Sequence, residues 1–157
     1  MNSVNPHRLE GQKTGAFELA EELGAVPDYL CLPYGGGGNT RAFGIGWDEW
    51  GQGLPRILAG EATERPTTLA SAIRIADPVH RPYAEDVVNR SGGEVVSLAD
   101  DEILAAWRDL AELEGVFCEP SSASGVAALA KVGAPKGSTC VCVITGHGLK
   151  DPATVER

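Results

Sequence analysis

Five short apolar runs punctuate the chain, at residues 28–33 (DYLCLP), 55–60 (PRILAG), 94–98 (EVVSL), 116–119 (VFCE) and 139–145 (TCVCVIT). Their apolar positions run nearly continuously instead of alternating with polar ones, which suits strands covered on both faces. Helical periodicity fills the intervals. Residues 10–23 place Phe17, Ala20 and Leu23 at helical spacing, and Gly24 follows as a C-cap. Further helices are predicted over 40–50, over 67–76 (TTLASAIRIA) between Pro66 and Pro78, and over 80–90 before Gly92 and Gly93. The next has the clearest stripe: Asp100 caps it, Ile103, Leu104, Trp107, Leu110 and Ala111 form its apolar face, and Gly115 ends it. Residues 121–131 make a last helix of small residues that packs closely. Strands alternating with helices predict an α/β fold, a mostly parallel sheet with helices on both faces, in one domain over 1–157. No internal repeat or linker interrupts it.

Charge narrows the partners. The formal net charge is -9, which argues against a nucleic-acid or anionic-membrane surface. No apolar stretch is long enough to span a bilayer, and the opening residues are polar without a signal-peptide core, so the cytoplasm is the expected compartment. Cys31, Cys118, Cys140 and Cys142 all lie in strand-like runs. With no Cys-x-x-Cys and no clustered His, they read as buried free thiols and no metal site is expected.

In parallel α/β sheets ligands sit beyond the carboxyl ends of the strands. Three segments have that address: 33–40, 119–124 and 145–151. The first reads Pro33-Tyr34-Gly35-Gly36-Gly37-Gly38-Asn39-Thr40. Glycines let backbone N–H groups turn toward an anion, and the following helix adds its positive end. A glycine run also serves as a plain flexible turn, but this one has the length of a strand-to-helix loop. It is neither a Walker loop nor a Gly-x-Gly-x-x-Gly fingerprint. At the end of the last strand, Thr145 offers a hydroxyl beside Gly146 and Gly148, or the segment is a tight turn exposing His147 and Lys150. Ser121, Ser122 and Ser124 either cap their helix or face a ligand. Arg8 lies in an ordinary polar helix start or clamps an anion bidentately.

Taken together, the opening NSVNPHRLEGQKT, the loop LPYGGGGNT, the helix TLASAIRIADP, the run GVFCEPSSASGVAAL and the ending VCVITGHGLKDP, in this order, resemble threonine synthase. That family consists of pyridoxal-phosphate enzymes of fold type II, the tryptophan synthase β-like fold, and the likeness covers nearly the whole chain. It implies conversion of O-phospho-L-homoserine and water to L-threonine and phosphate, with the cofactor as electron sink. It also implies site residues: Gly35, Gly36, Gly37, Gly38 and Asn39 on the cofactor phosphate, Thr145 on the pyridine nitrogen, and Ser3, Arg8 and Asn39 on the substrate's phosphate.

The departures from the family are specific. The family's loop commonly reads Gly-Asn-Ala-Gly-Asn, and here Gly36 and Gly37 replace the first asparagine and the alanine. The stretch from Trp50 to Thr67 is shorter than the family's. The Schiff-base lysine of the family lies in an N-terminal half, and none of Lys13, Lys131, Lys136 and Lys150 matches its segment. No catalytic residue is therefore assigned. The chain alone is expected to be inactive, to expose an apolar face, and to pair with an N-terminal partner chain or form a homo-oligomer. Two alternatives stand beside this reading. One is another enzyme of the fold type, a threonine dehydratase or cysteine synthase, although those carry Ser in place of Thr near the pyridine nitrogen. The other is a non-catalytic module that binds a phosphorylated ligand or a partner.

Overall fold

The computed structural model describes residues 5–154. The chain runs α1 (Pro6–Leu23), β1 (Tyr29–Pro33), α2 (Gly38–Trp50), β2 (Arg56–Ala62), α3 (Arg81–Arg90), β3 (Glu94–Leu98), α4 (Asp100–Glu114), α5 (Pro120–Val132) and β4 (Cys140–Cys142). The four strands form one parallel sheet in the order β3-β2-β1-β4. The α/β architecture is as predicted.

Alternation along the strands divides the core in two. Leu30, Leu32, Ile57 and Ala59 face α1, α2 and α3, meeting Ala16, Phe43, Trp47 and Val87. Tyr29, Cys31 and Leu58 face the other way, onto Ile103 and Trp107 of α4 and Ala123 and Ala127 of α5. Leu30, Leu32, Ile57 and Leu58 are fully buried, each contributing about 1.5–3 kcal/mol of transfer free energy. Helix α5 comes closest to the sheet. A Cβ added at Gly60 would lie 2.2 Å from the Ser124 carbonyl oxygen, and one at Gly125 would lie 3.1 Å from that of Cys31. Two glycines thus let helix and sheet backbones touch.

Four expectations change. Residues 67–76 do not form a helix; only Ser71–Ile73 makes a 3-10 turn. Tertiary polar partners hold this segment out of helical form. The Asp100 carboxylate accepts from the Thr68 hydroxyl (2.5 Å) and the Leu69 N–H (3.0 Å), the Ser121 hydroxyl accepts from the Ala72 N–H (3.0 Å), and the Arg74 side chain donates to the Thr68 carbonyl. For the same reason Asp100 does not cap α4. Ala99 is the N-cap, and its N–H is taken by Glu102 Oε2 at 2.8 Å. Residues 116–119 are not a sheet strand: Cys118 makes a single antiparallel bridge to His147, and the Glu119 N–H donates to the Gly146 carbonyl. Cys118 and Glu119 are buried under the last loop, outside the sheet, while Val116 and Phe117 are exposed. The strand expected over 139–145 shortens to Cys140–Cys142, and Cys140 and Cys142 pack on the same core as Cys31 and Cys118. All four thiols are free. Cys31 and Cys142 are register partners on neighbouring strands. A hydrogen bond between their sulfurs, with burial, pushes the Cys31 thiol up; the same hydrogen bond, against burial, holds Cys142 down. Among the described residues no His, Cys, Asp and Glu cluster suits a metal, and no helix is long and apolar enough to cross a membrane.

Gly60→Ala should drive α5 off β2, costing about 2–3 kcal/mol and lowering the thermal midpoint by roughly 5–10 °C in a calorimetric or circular-dichroism melt.

Candidate functional site

At the carboxyl ends of β1 and β4 lies a cleft of about 550 Å³. Its lining includes Gly35, Gly36, Gly37, Gly38 and Asn39 from the β1–α2 loop, Arg8 and Gln12 from α1, Glu119 and Ser121 at the head of α5, and Thr145, Gly146 and Lys150 after β4. The three segments expected at the strand ends therefore do meet. Ser3 lies outside the described residues.

The glycine loop is held from behind. The Tyr34 N–H extends the strand ladder to the Gly60 carbonyl at 2.8 Å. The Arg65 guanidinium donates to the carbonyls of Gly35 (3.3 Å) and Ile75 (3.2 Å), and the Glu61 carboxylate anchors it. The His80 N–H takes the Gly36 carbonyl at 3.1 Å. Gly37 sits at φ 78°, in the left-handed region, and a Cβ at Gly35 would meet the Ala72 carbonyl oxygen at 3.0 Å. These contacts use carbonyls. Among the described residues no group accepts the N–H of any residue from Gly35 to Asn39. The loop and first turn of α2 thus line the cleft with donors that have no acceptor among the described residues, the chemistry that a phosphate fits.

The opposite wall turns on Ser122, which is fully buried. Its Oγ accepts the N–H of Thr145 at 3.1 Å and of Gly146 at 2.9 Å, and lies 2.8 Å from Thr145 Oγ1. Two donors fill the two lone pairs of a hydroxyl, so the Ser122 proton goes to Thr145. The Thr145 proton is left for the cleft. Beside it the Glu119 carboxylate, with 3% of its side chain exposed, pairs with Lys150 Nζ at 2.6 Å. A Cβ at Gly146 would lie 2.2 Å from Glu119 Oε1, which explains the glycine. Gln12 Nε2 donates to Asn39 Oδ1 at 2.7 Å. Sequence reasoning placed Ser122 only as a cap or ligand donor and assigned no role to Gln12, Arg65 or Glu119. Their roles depend on contacts over long sequence separations, although the Glu-Pro-Ser-Ser run at a helix start did point to this place.

Residues 1–146 match the family described as pyridoxal-phosphate dependent enzyme. The chain belongs to that family. Among curated proteins it is 45% identical to the threonine synthase of Halalkalibacterium halodurans, over 98% of this chain and 49% of the relative. It is 48% identical to that of Synechocystis sp., over 97% of this chain and 44% of the relative. The chain thus spans about half the length of these relatives. The alignments extend over 173 and 170 positions, more than the 157 residues available, so the relatives carry insertions. Among solved structures, threonine synthase from Escherichia coli superposes with a TM-score of 0.78 at 24% identity, covering 99% of this chain and 41% of that one. Pyridoxal-phosphate-bound threonine synthase from Brucella melitensis gives 0.81 at 18%, covering 99% and 44%. Maize serine racemase gives 0.75 at 24%, covering 95% and 50%. These likenesses establish the fold type II architecture.

Pyridoxal phosphate is the cofactor of this family, and the donor set fits it. Unpaired loop amides suit its phosphate, and a hydroxyl with a free proton suits an unprotonated ring nitrogen. The two substituted glycines leave the backbone donors in place.

Ser122→Ala removes the acceptor for two amides and the partner of Thr145. Stability should fall by about 1–3 kcal/mol in urea unfolding, and the Thr145 and Gly146 amides should exchange faster with deuterium.

Proposed function

We propose that this chain is the part of a threonine synthase that holds the cofactor's phosphate and ring nitrogen, working in the conversion of O-phospho-L-homoserine and water to L-threonine and phosphate. The observation that carries the reading is the meeting of the Gly35–Asn39 donors and the Thr145 hydroxyl in one cleft. The identity of 41–48% to threonine synthases supports this substrate over those of other enzymes of the fold type.

In the reaction the bond from the γ carbon to the phosphate oxygen breaks, and water adds hydroxyl at the β carbon. Bound pyridoxal phosphate supplies an electron sink for the carbanions. The amides of Gly35 to Asn39 and the head of α2 hold its phosphate. Thr145, fixed by Ser122, donates to the ring nitrogen without forcing it to carry a proton. Arg8, one turn before Gln12 on α1, and Asn39 bind the substrate's phosphate, together with Ser3.

The family's lysine comes, in this reading, from polypeptide outside residues 1–157. Lys13 is paired with Glu10 and Glu49, and Lys131 with Glu102. Lys150 is engaged by Glu119, and Lys136 precedes β4 at the amino end of the sheet. We place the docking face for that polypeptide at the sheet edge. Among the described residues edge strand β4 pairs only with β1. A groove beside it is lined by Gly15, Leu19, Phe43, Val141 and Val143, and Ile144 is exposed. We place the assembled enzyme in the cytoplasm.

Purified chain given pyridoxal phosphate and O-phospho-L-homoserine should release no threonine or phosphate above a blank. Adding the half of the Halalkalibacterium halodurans enzyme that this chain does not span should produce a complex on size exclusion and restore turnover. Turnover by the chain alone, or a folded complex that binds cofactor yet leaves phosphohomoserine intact, would refute the reading.

A further inference from the structure

The side chain of Asn39 lies in the first turn of α2, among the unpaired amides of the glycine loop. A side-chain amide placed there helps an anion only if it presents its NH2 group; its oxygen would repel the same charge. Its orientation is set by Gln12, whose Nε2 donates to Asn39 Oδ1 at 2.7 Å. Gln12 is well placed for this. Helices α1 and α2 touch at the next residue, where a Cβ at Gly46 would lie 2.4 Å from the Lys13 carbonyl oxygen, and Lys13 Nζ pairs with Glu49 of α2 at 2.9 Å. Gln12 Oε1 is buried without a hydrogen-bond partner among the described residues. The bond to Asn39 is thus the polar contact that accounts for a glutamine at this position.

We propose that Gln12 is a positioning residue: by occupying Asn39 Oδ1 it turns the Asn39 NH2 group toward the bound phosphate. This rests on the reading of the glycine loop as a phosphate site. Removing Gln12 frees the Asn39 amide to rotate. A glutamate there, which only accepts, takes the Asn39 NH2 and turns its oxygen to the anion.

The test is titration of the full chain with inorganic phosphate and with pyridoxal phosphate, read by Trp47 and Trp50 fluorescence, with circular dichroism as the check on folding. Gln12→Ala should weaken both ligands by about fivefold or more, and Gln12→Glu should weaken them further. In an Asn39→Ala background Gln12→Ala should change affinity by less than about twofold, because the two residues act as one unit. Equal losses in both backgrounds, or affinity within about twofold of wild type for folded Gln12→Ala or Gln12→Glu, would overturn the inference. If the unaltered chain binds neither ligand, the phosphate reading itself falls and the inference with it.

Discussion

The backbone contact between α5 and the sheet sets the geometry of everything above it. Because Gly60 and Gly125 carry no side chains, α5 lies against the carbonyls of β1 and its own Ser124 carbonyl lies against β2. That depth fixes where its first turn emerges. At the head of the helix Ser121 reaches the Ala72 N–H, and Ser122 reaches the amides of Thr145 and Gly146. One helix N-terminus therefore ties the irregular 70s segment and the last loop to the strand ends. The same 70s segment backs the glycine loop, since its Ala72 carbonyl would meet a Cβ at Gly35. A larger residue at either packing glycine would misplace three loops together.

A chain with a net charge of -9 can hold a phosphate because the competition is local. Charges more than about 8–10 Å away are largely screened in physiological salt, whereas unpaired amides at a helix start act at contact distance. The acidic group nearest the cleft is neutralised in place. Glu119, buried at the head of α5, is paired with Lys150, so it adds little net negative field. Arg8 adds a cation from α1. Arg65, spread over the carbonyls of Gly35 and Ile75, ties the loop to the 70s segment. The carbonyl side of the loop is thus satisfied by protein, while its N–H groups have no acceptor among the described residues.

What the sequence made legible follows from the range of the forces involved. The strands at 28–33, 55–60 and 94–98 were readable because burial on both faces writes itself as a continuous apolar run. The glycine loop was readable because left-handed backbone and close approach select glycine locally. The 67–76 helix failed because its propensity was overruled by Asp100 and Ser121, residues distant in sequence whose polar groups prefer this backbone. In the run 116–119 only Cys118 and Glu119 are buried, and what covers them is the loop at 146–147 and not a neighbouring strand; Val116 and Phe117 stay exposed. Ser122 and Gln12 carry no periodic signal at all. Their importance lies in which lone pair and which amide end they occupy, and this becomes visible only when atoms are placed.

The polarity of the Ser122–Thr145 pair bears on which chemistry the cleft can support. A carboxylate facing a pyridine nitrogen would hold a proton on it and deepen the electron sink. Thr145 instead offers a neutral O–H, and the filled lone pairs of Ser122 prevent it from spending that proton on the protein. If the proposed placement holds, a ring nitrogen facing it would stay uncharged, the sink would be shallower, and more would depend on groups that move protons at the substrate's carbons. Glu119 is tied to Lys150, and the loop supplies only N–H donors. This half of the site is built to bind and orient. In the proposed reading the division of labour is physical: the sheet end would fix the cofactor's phosphate and ring, and proton transfer would fall to groups outside these residues.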